Sequence, residues 1–111
     1  MDEDFAYVTT VGRRTGLPRE IEIWFAHVDG TVYLLSGGGD RAHWVRNLRA
    51  DPHATVRLGG RTLRGRARVL DVRDAEDARA RRQLIGKYRP RYSGDLASFE
   101  ARALVVAIDL G

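Results

Sequence analysis

Apolar and polar residues alternate along most of the chain, in short runs broken by glycine and aspartate, which predicts strands joined by tight turns. Residues 6–11 (AYVTTV) form the first β-type run, closed by Gly12-Arg13-Arg14-Thr15-Gly16. From Pro18 a second strand alternates, with Ile21, Ile23 and Phe25 on one face and Glu20, Glu22 and Trp24 on the other. Asp29-Gly30 is a hairpin signal, and residues 31–35 (TVYLL) are the returning strand. Ser36-Gly37-Gly38-Gly39 then breaks the alternation.

The period changes after that break. Asp40 is a helix N-cap candidate, and Trp44 with Leu48, or Ala42 with Val45, has helical spacing until Asp51-Pro52 stops it. A second hairpin follows, with Ala54, Val56 and Leu58 pointing inward, Gly59-Gly60 turning, and residues 63–70 returning. Asp74 caps a second helix expected to run through Leu84, and residues 87–100 read as a loop with one helical turn. Residues 103–110 (ALVVAIDL) are almost continuously apolar, so this strand is expected to be buried on both faces. About six mostly antiparallel strands and two or three helices make a mainly β, α+β fold. We expect a small barrel with helices across its openings, filling residues 1–111 as a single domain.

Composition removes several function classes. With no cysteine among 111 residues, disulfides, thiolate metal sites and cysteine nucleophiles are excluded. His27, His43 and His53 share no metal-ligand spacing, and neither Ser36 nor Ser93 lies in a nucleophile elbow. No apolar run approaches the roughly 20 residues of a membrane span, and the acidic first residues are unlike a signal peptide. A cytoplasmic protein with no stable membrane insertion is expected. The 19 basic residues outnumber 15 acidic ones, for a net charge of +4, and all but Lys87 are arginine. Guanidinium groups favour planar contact with phosphate or carboxylate, so an anionic partner is favoured.

Two segments offer a place for that anion. The glycine loop 36–39 feeding a helix N-terminus presents free N–H groups, although a plain connection would look the same. The turn from Gly12 to Gly16 carries Arg13 and Arg14, with Arg19 just inside the next strand. Those three guanidinium groups repel one another unless an anion lies among them, or unless Glu20 and Glu22 pair with them at a solvated tip. Arg57, Arg61, Arg64, Arg66 and Arg68 form a basic stripe without interleaved aromatics, which reads as a solvated strand face and not as a nucleic-acid surface. No self-sufficient acid–base or nucleophilic enzyme emerges, so catalysis would rest on a cofactor.

Taken together, the segments resemble a known family. Val8-Thr9-Thr10-Val11-Gly12-Arg13-Arg14-Thr15-Gly16-Leu17-Pro18-Arg19 is similar to the opening motif of the deazaflavin-dependent nitroreductase and quinone reductase family. Tyr33-Leu34-Leu35-Ser36 with its glycines, Trp44-Val45-Arg46-Asn47-Leu48-Arg49-Ala50-Asp51-Pro52 and the Gly59-Gly60 hairpin extend the match over residues 7–70. The resemblance implies a split β-barrel, binding of reduced coenzyme F420, and hydride transfer to a small electron-poor acceptor of quinone or nitroaromatic type. Carried over by position, Arg13 and Arg19 would hold the phosphate and acidic tail within the turn completed by Arg14, Thr15 and Gly16. Trp24 would sit beside the cofactor, Ser36, Gly37 and Gly38 would contact ring and phosphate, and Trp44, Asn47 and Leu48 would line the ring pocket. Relatives often have lysine where Gly37 stands, so Arg14 or Arg41 would have to replace that charge. Tyr88 and Tyr92 are acceptor-side candidates; no catalytic residue is otherwise identified. The alternatives are an FMN-binding split-barrel oxidoreductase and a non-catalytic binder of a small anionic or lipid-like ligand. A small-molecule acceptor, no nucleic acid and a homodimer complete the expected partners.

Overall fold

The computed structural model describes residues 4–91 and 96–111. Seven strands form one antiparallel sheet: β1 (Ala6–Val11), β2 (Pro18–Ile23), β3 (Phe25–Val28), β4 (Thr31–Ser36), β5 (His53–Leu58), β6 (Arg61–Val69) and β7 (Leu104–Leu110). Their spatial order is β2-β1-β5-β6-β7-β4-β3. The two outermost strands are consecutive in the chain and separated only by Trp24, so the sheet curls until its edges meet at that residue. The second alternating run is therefore one stretch serving two edges: β2 pairs with β1, and β3 pairs with β4. This bend makes seven strands of the expected six. The alternation survives it, because Ile21, Ile23 and Phe25 all face the barrel interior while Trp24 packs on the outer layer.

Three helices flank the sheet: α1 (His43–Ala50), α2 (Ala75–Tyr88) and α3 (Leu96–Arg102). Helix α1 closes one opening of the barrel as expected, with Val45 and Leu48 buried beside Val8, Leu34, Val56 and Val106. Helix α2 instead covers the outer face of β3, β4 and β7, where Ala80, Leu84, Ile85 and Tyr88 lie against Tyr33, Leu35, Val105 and Ala107. Strand β7 is thus buried on both faces, Val106 and Ile108 inward and Val105 and Ala107 beneath α2, as its apolar run required. Each fully buried Leu or Ile in this layer contributes about 1.5–3 kcal/mol.

Element boundaries differ from expectation at three places. Helix α1 starts at His43, because Asp40 lies in a 3₁₀ turn (Gly39–Arg41) and its carboxylate accepts from the Arg49 guanidinium at 2.9 Å. Helix α2 runs past Leu84 to Tyr88, since Ile85 and Tyr88 still find apolar partners on the sheet. Part of the expected loop is α3, tied to α2 by Arg81. That guanidinium meets Asp77, which is only 2% exposed, at 3.1 Å and donates to the Ala103 carbonyl at 2.7 Å.

Candidate functional site

The site forms where the Trp24 bend, the end of β4 and the start of α1 converge. The Ser36 hydroxyl is buried and donates to the Gly39 carbonyl at 3.0 Å, folding residues 36–39 back toward α1. Gly39 takes φ +58, a conformation that favours glycine. The result is a cleft of about 400 Å³ bordered by Phe5, Glu22, Ile23, Trp24, Leu35, Ser36, Gly37, Gly38, Ala42 and Trp44. Two half-buried indoles supply its flat apolar walls, and Gly37 and Gly38 leave its backbone bare.

Trp24 is held from behind. Its ring stacks on Tyr88 with centroids 4.4 Å apart and planes 6° from parallel. The Tyr88 hydroxyl accepts the Phe25 N–H at 3.0 Å and donates to the Asp4 carbonyl at 2.6 Å. Tyr88, expected in a loop and offered to a substrate, is a buried helical residue whose phenol serves the backbone. Tyr92 lies outside the described residues.

The cationic turn docks on the other flank of α1. Its tightness needs Gly12, where a Cβ would lie 2.8 Å from Thr15 Oγ1 and 3.1 Å from the Leu17 carbonyl, and Gly16, which takes φ +74. The backbone N–H and guanidinium of Arg13 both donate to Asn47 Oδ1, at 3.2 and 2.9 Å, and the guanidinium also reaches His43 Nδ1 at 3.2 Å. Asn47 Nδ2 in turn donates to Thr10 Oγ1 at 3.1 Å. Asn47 and Leu48 are buried between α1 and the barrel and do not border the cleft. Arg14 and Arg19 stay exposed, and among the described residues neither meets a carboxylate. The glutamates that could have paired with them are engaged elsewhere, Glu20 with Arg57 at 3.4 Å and Glu22 with the Tyr7 hydroxyl at 2.6 Å. The turn therefore presents positive charge outward.

Glu22, Phe5 and Leu35 were not among the sequence candidates. The strand alternation that set Glu22 and Trp24 on one face was the available signal. The hydrogen bond to Glu22 pushes the Tyr7 phenol above its ordinary pKa. The arginine stripe divides: Arg57 lies over the Tyr7 ring, and Arg68 is enclosed by Glu76 at 2.9 Å and Asp109. Among the described residues no cluster of His, Asp or Glu could hold a metal ion, and no helix is long and apolar enough to cross a membrane.

The F420H(2)-dependent quinone reductase family matches residues 1–110. The chain belongs to that family. Its members are deazaflavin-dependent oxidoreductases that use coenzyme F420, and this chain is one of them. Solved structures agree on the fold. An F420-H2 dependent reductase, FDR-A, is 23% identical with a TM-score of 0.78, over 98% of this chain and 96% of that one. A protein described as a domain-swapped dimer matches with the same identity, 23%, and TM-score, 0.78, over 98% of this chain and 82% of its own. A putative 5-nitroimidazole antibiotic resistance protein from Bacteroides thetaiotaomicron is 15% identical with a TM-score of 0.71, over 96% of this chain and 72% of that one.

The residues present suit the F420 of this reductase family. A planar ring needs flat apolar walls, and Trp24 and Trp44 border one cleft. A phosphate and carboxylates need donors that are not already neutralised, and among the described residues Arg14 and Arg19 meet no carboxylate at the turn docked on α1.

Proposed function

We propose that this reductase binds F420 between the Trp24–Trp44 cleft and the Gly12–Gly16 turn and passes its hydride to a small quinone. The family match supports the quinone. The observation that carries the site is Arg13, anchored through Asn47 and His43 to the helix that also carries Trp44. When bound, the reduced deazaflavin supplies the hydride. The chain's own residues hold, orient and shield. Arg13 takes the phosphate, and Arg14 and Arg19 take the acidic tail. Arg41, exposed beside the glycine loop, supplies the charge that lysine gives in relatives at position 37. Gly37 and Gly38 bring bare backbone to the ring, and the indoles exclude water and keep donor and acceptor close, where orientation does most to lower the barrier. Trp24 is positioned by Tyr88. The Glu22–Tyr7 pair holds a phenolic proton at the rim of the cleft.

A nitroaromatic acceptor is the second reading, favoured by the similarity to the 5-nitroimidazole resistance protein. The working assembly is a homodimer in the cytoplasm, supported for the dimer by the domain-swapped relative. Fluorescence titration with oxidised F420 beside FMN tests the site. F420 should saturate and FMN should not, and Arg13→Ala should cost about 1–3 kcal/mol of affinity, the scale of a charged hydrogen bond. An Arg64→Ala/Arg66→Ala double variant should bind as wild type. Unchanged affinity in Arg13→Ala would overturn the phosphate assignment. Turnover with menadione and a nitroimidazole, each supplied with F420H2, then decides the acceptor.

A further inference from the structure

A second concavity lies past the Trp24 bend, between α2, the outer edge of β3 and the β5–β6 hairpin. It is larger than the cleft, about 1010 Å³, and open along one side. Its lining includes Arg61, Arg79, Arg82 and Lys87 and no carboxylate. Among the described residues, Arg61, Arg79 and Arg82 have neither an ion pair nor a hydrogen bond, unlike Arg68, Arg73 and Arg81 on neighbouring elements. Lys87 is engaged with the groove's floor, donating to the Phe25 carbonyl at 3.0 Å with its ammonium 3.5 Å from the Phe25 ring centroid.

The layout fits an elongated ligand. Arg79 and Lys87 are eight residues apart on α2, about 12 Å along a helix, whereas a single phosphate is only a few ångströms across. Between them Gly86 carries no side chain, and a Cβ there would meet nothing within 4 Å. The facing wall is equally bare, since a Cβ on Gly60 would also meet nothing within 4 Å. Three unpaired guanidinium groups around one concave surface repel one another, and anionic groups threaded among them remove that repulsion.

We propose that this groove binds an elongated oligoanion, a small molecule with two or more phosphate or carboxylate groups spaced along Arg61, Arg79, Arg82 and Lys87. The site is separate from the cofactor cleft: no residue borders both, and they lie on either side of the peptide bond joining Trp24 to Phe25.

Isothermal titration at low salt, on protein already saturated with F420 so that the cofactor's anion site is filled, tests it with tripolyphosphate, tri-γ-glutamate and orthophosphate as probes. One of the two oligoanions should saturate a single site at least tenfold more tightly than orthophosphate; the tighter one identifies the ligand's anionic group as phosphoryl or carboxylate. Arg79→Gln/Arg82→Gln should weaken it at least tenfold while leaving the melting temperature and F420 affinity unchanged. Arg64→Gln/Arg66→Gln removes the same charge from another face and should change the oligoanion affinity less than threefold. Equal losses in the two double variants would show a response to net charge only and overturn the proposal. So would oligoanions that bind no better than orthophosphate, or no saturable binding.

Discussion

The two long helices hold to the sheet by different means. Helix α1 plugs the barrel with two buried apolar residues, but its position is fixed by directed bonds, from Asn47 to Thr10 and from Arg13 to Asn47 and His43. Helix α2 lies on a broad apolar layer, trimmed by the ion pair from Glu76 to Arg68 on β6. An apolar layer is non-directional and contributes in proportion to area, whereas hydrogen bonds contribute less and specify orientation. Damage to α2 should therefore appear as lost stability, and damage to α1 as lost binding.

The hardest test of that division is Leu84→Ala. Emptying this fully buried position should cost about 2–5 kcal/mol. Thermal melting would show it, and F420 affinity of the remaining folded protein should not move. A parallel loss of affinity would break the comparison. Next is Asn47→Ala, which strands Thr10 and loosens Arg13, at about 1–3 kcal/mol of stability. Its F420 affinity should fall at least tenfold, out of proportion to the melting shift.

Acid should act on the α2 side. Hydrogen bonds from Arg68 hold the Glu76 and Asp109 carboxyls below their usual range. Depressed folded values mean the unfolded chain binds protons more readily, so this stabilisation is present above the unfolded pKa of about 4 and fades as pH falls through the folded values. Melting curves from pH 7 down to 3 should show wild type and Arg68→Gln converging at the acid end. A constant gap would mean these carboxylates are not the source. Tyr88→Phe keeps the stacked ring and loses the hydroxyl, for about 1 kcal/mol. The smallest change sharpens the picture in the other direction. Gly37→Lys adds a positive charge to an exposed loop bordering the cleft, so stability should hold within about 0.5 kcal/mol while F420 binds a few-fold more tightly.

Much of this arrangement is written locally. Alternation identified the inward faces of β2 and β5, a continuous apolar run the two-sided burial of β7, and paired glycines the turns, because all three depend on near neighbours in the chain. The motif resemblance supplied the family. What escaped depends on partners far away. The second helix reads as running through Leu84 with residues 87–100 a loop, yet Ile85 and Tyr88 find the sheet and α2 continues to Tyr88. Asp40 looked like a cap until Arg49, nine residues on, took its carboxylate. Arg61 and Arg79 share no local pattern, and only the closed barrel sets hairpin and helix across one groove.

The position of β7 has a consequence for synthesis. Of the seven strands described it is the last in chain order, yet it sits between β6 and β4 and supplies the register for both. Until residues 104–110 leave the ribosome, two unpaired edges face each other across a gap. Nearly every barrel contact spanning that gap must wait for that strand. Such an intermediate is a template for strand exchange with a neighbouring chain. Closure of the barrel thus waits on the synthesis of residues 104–110.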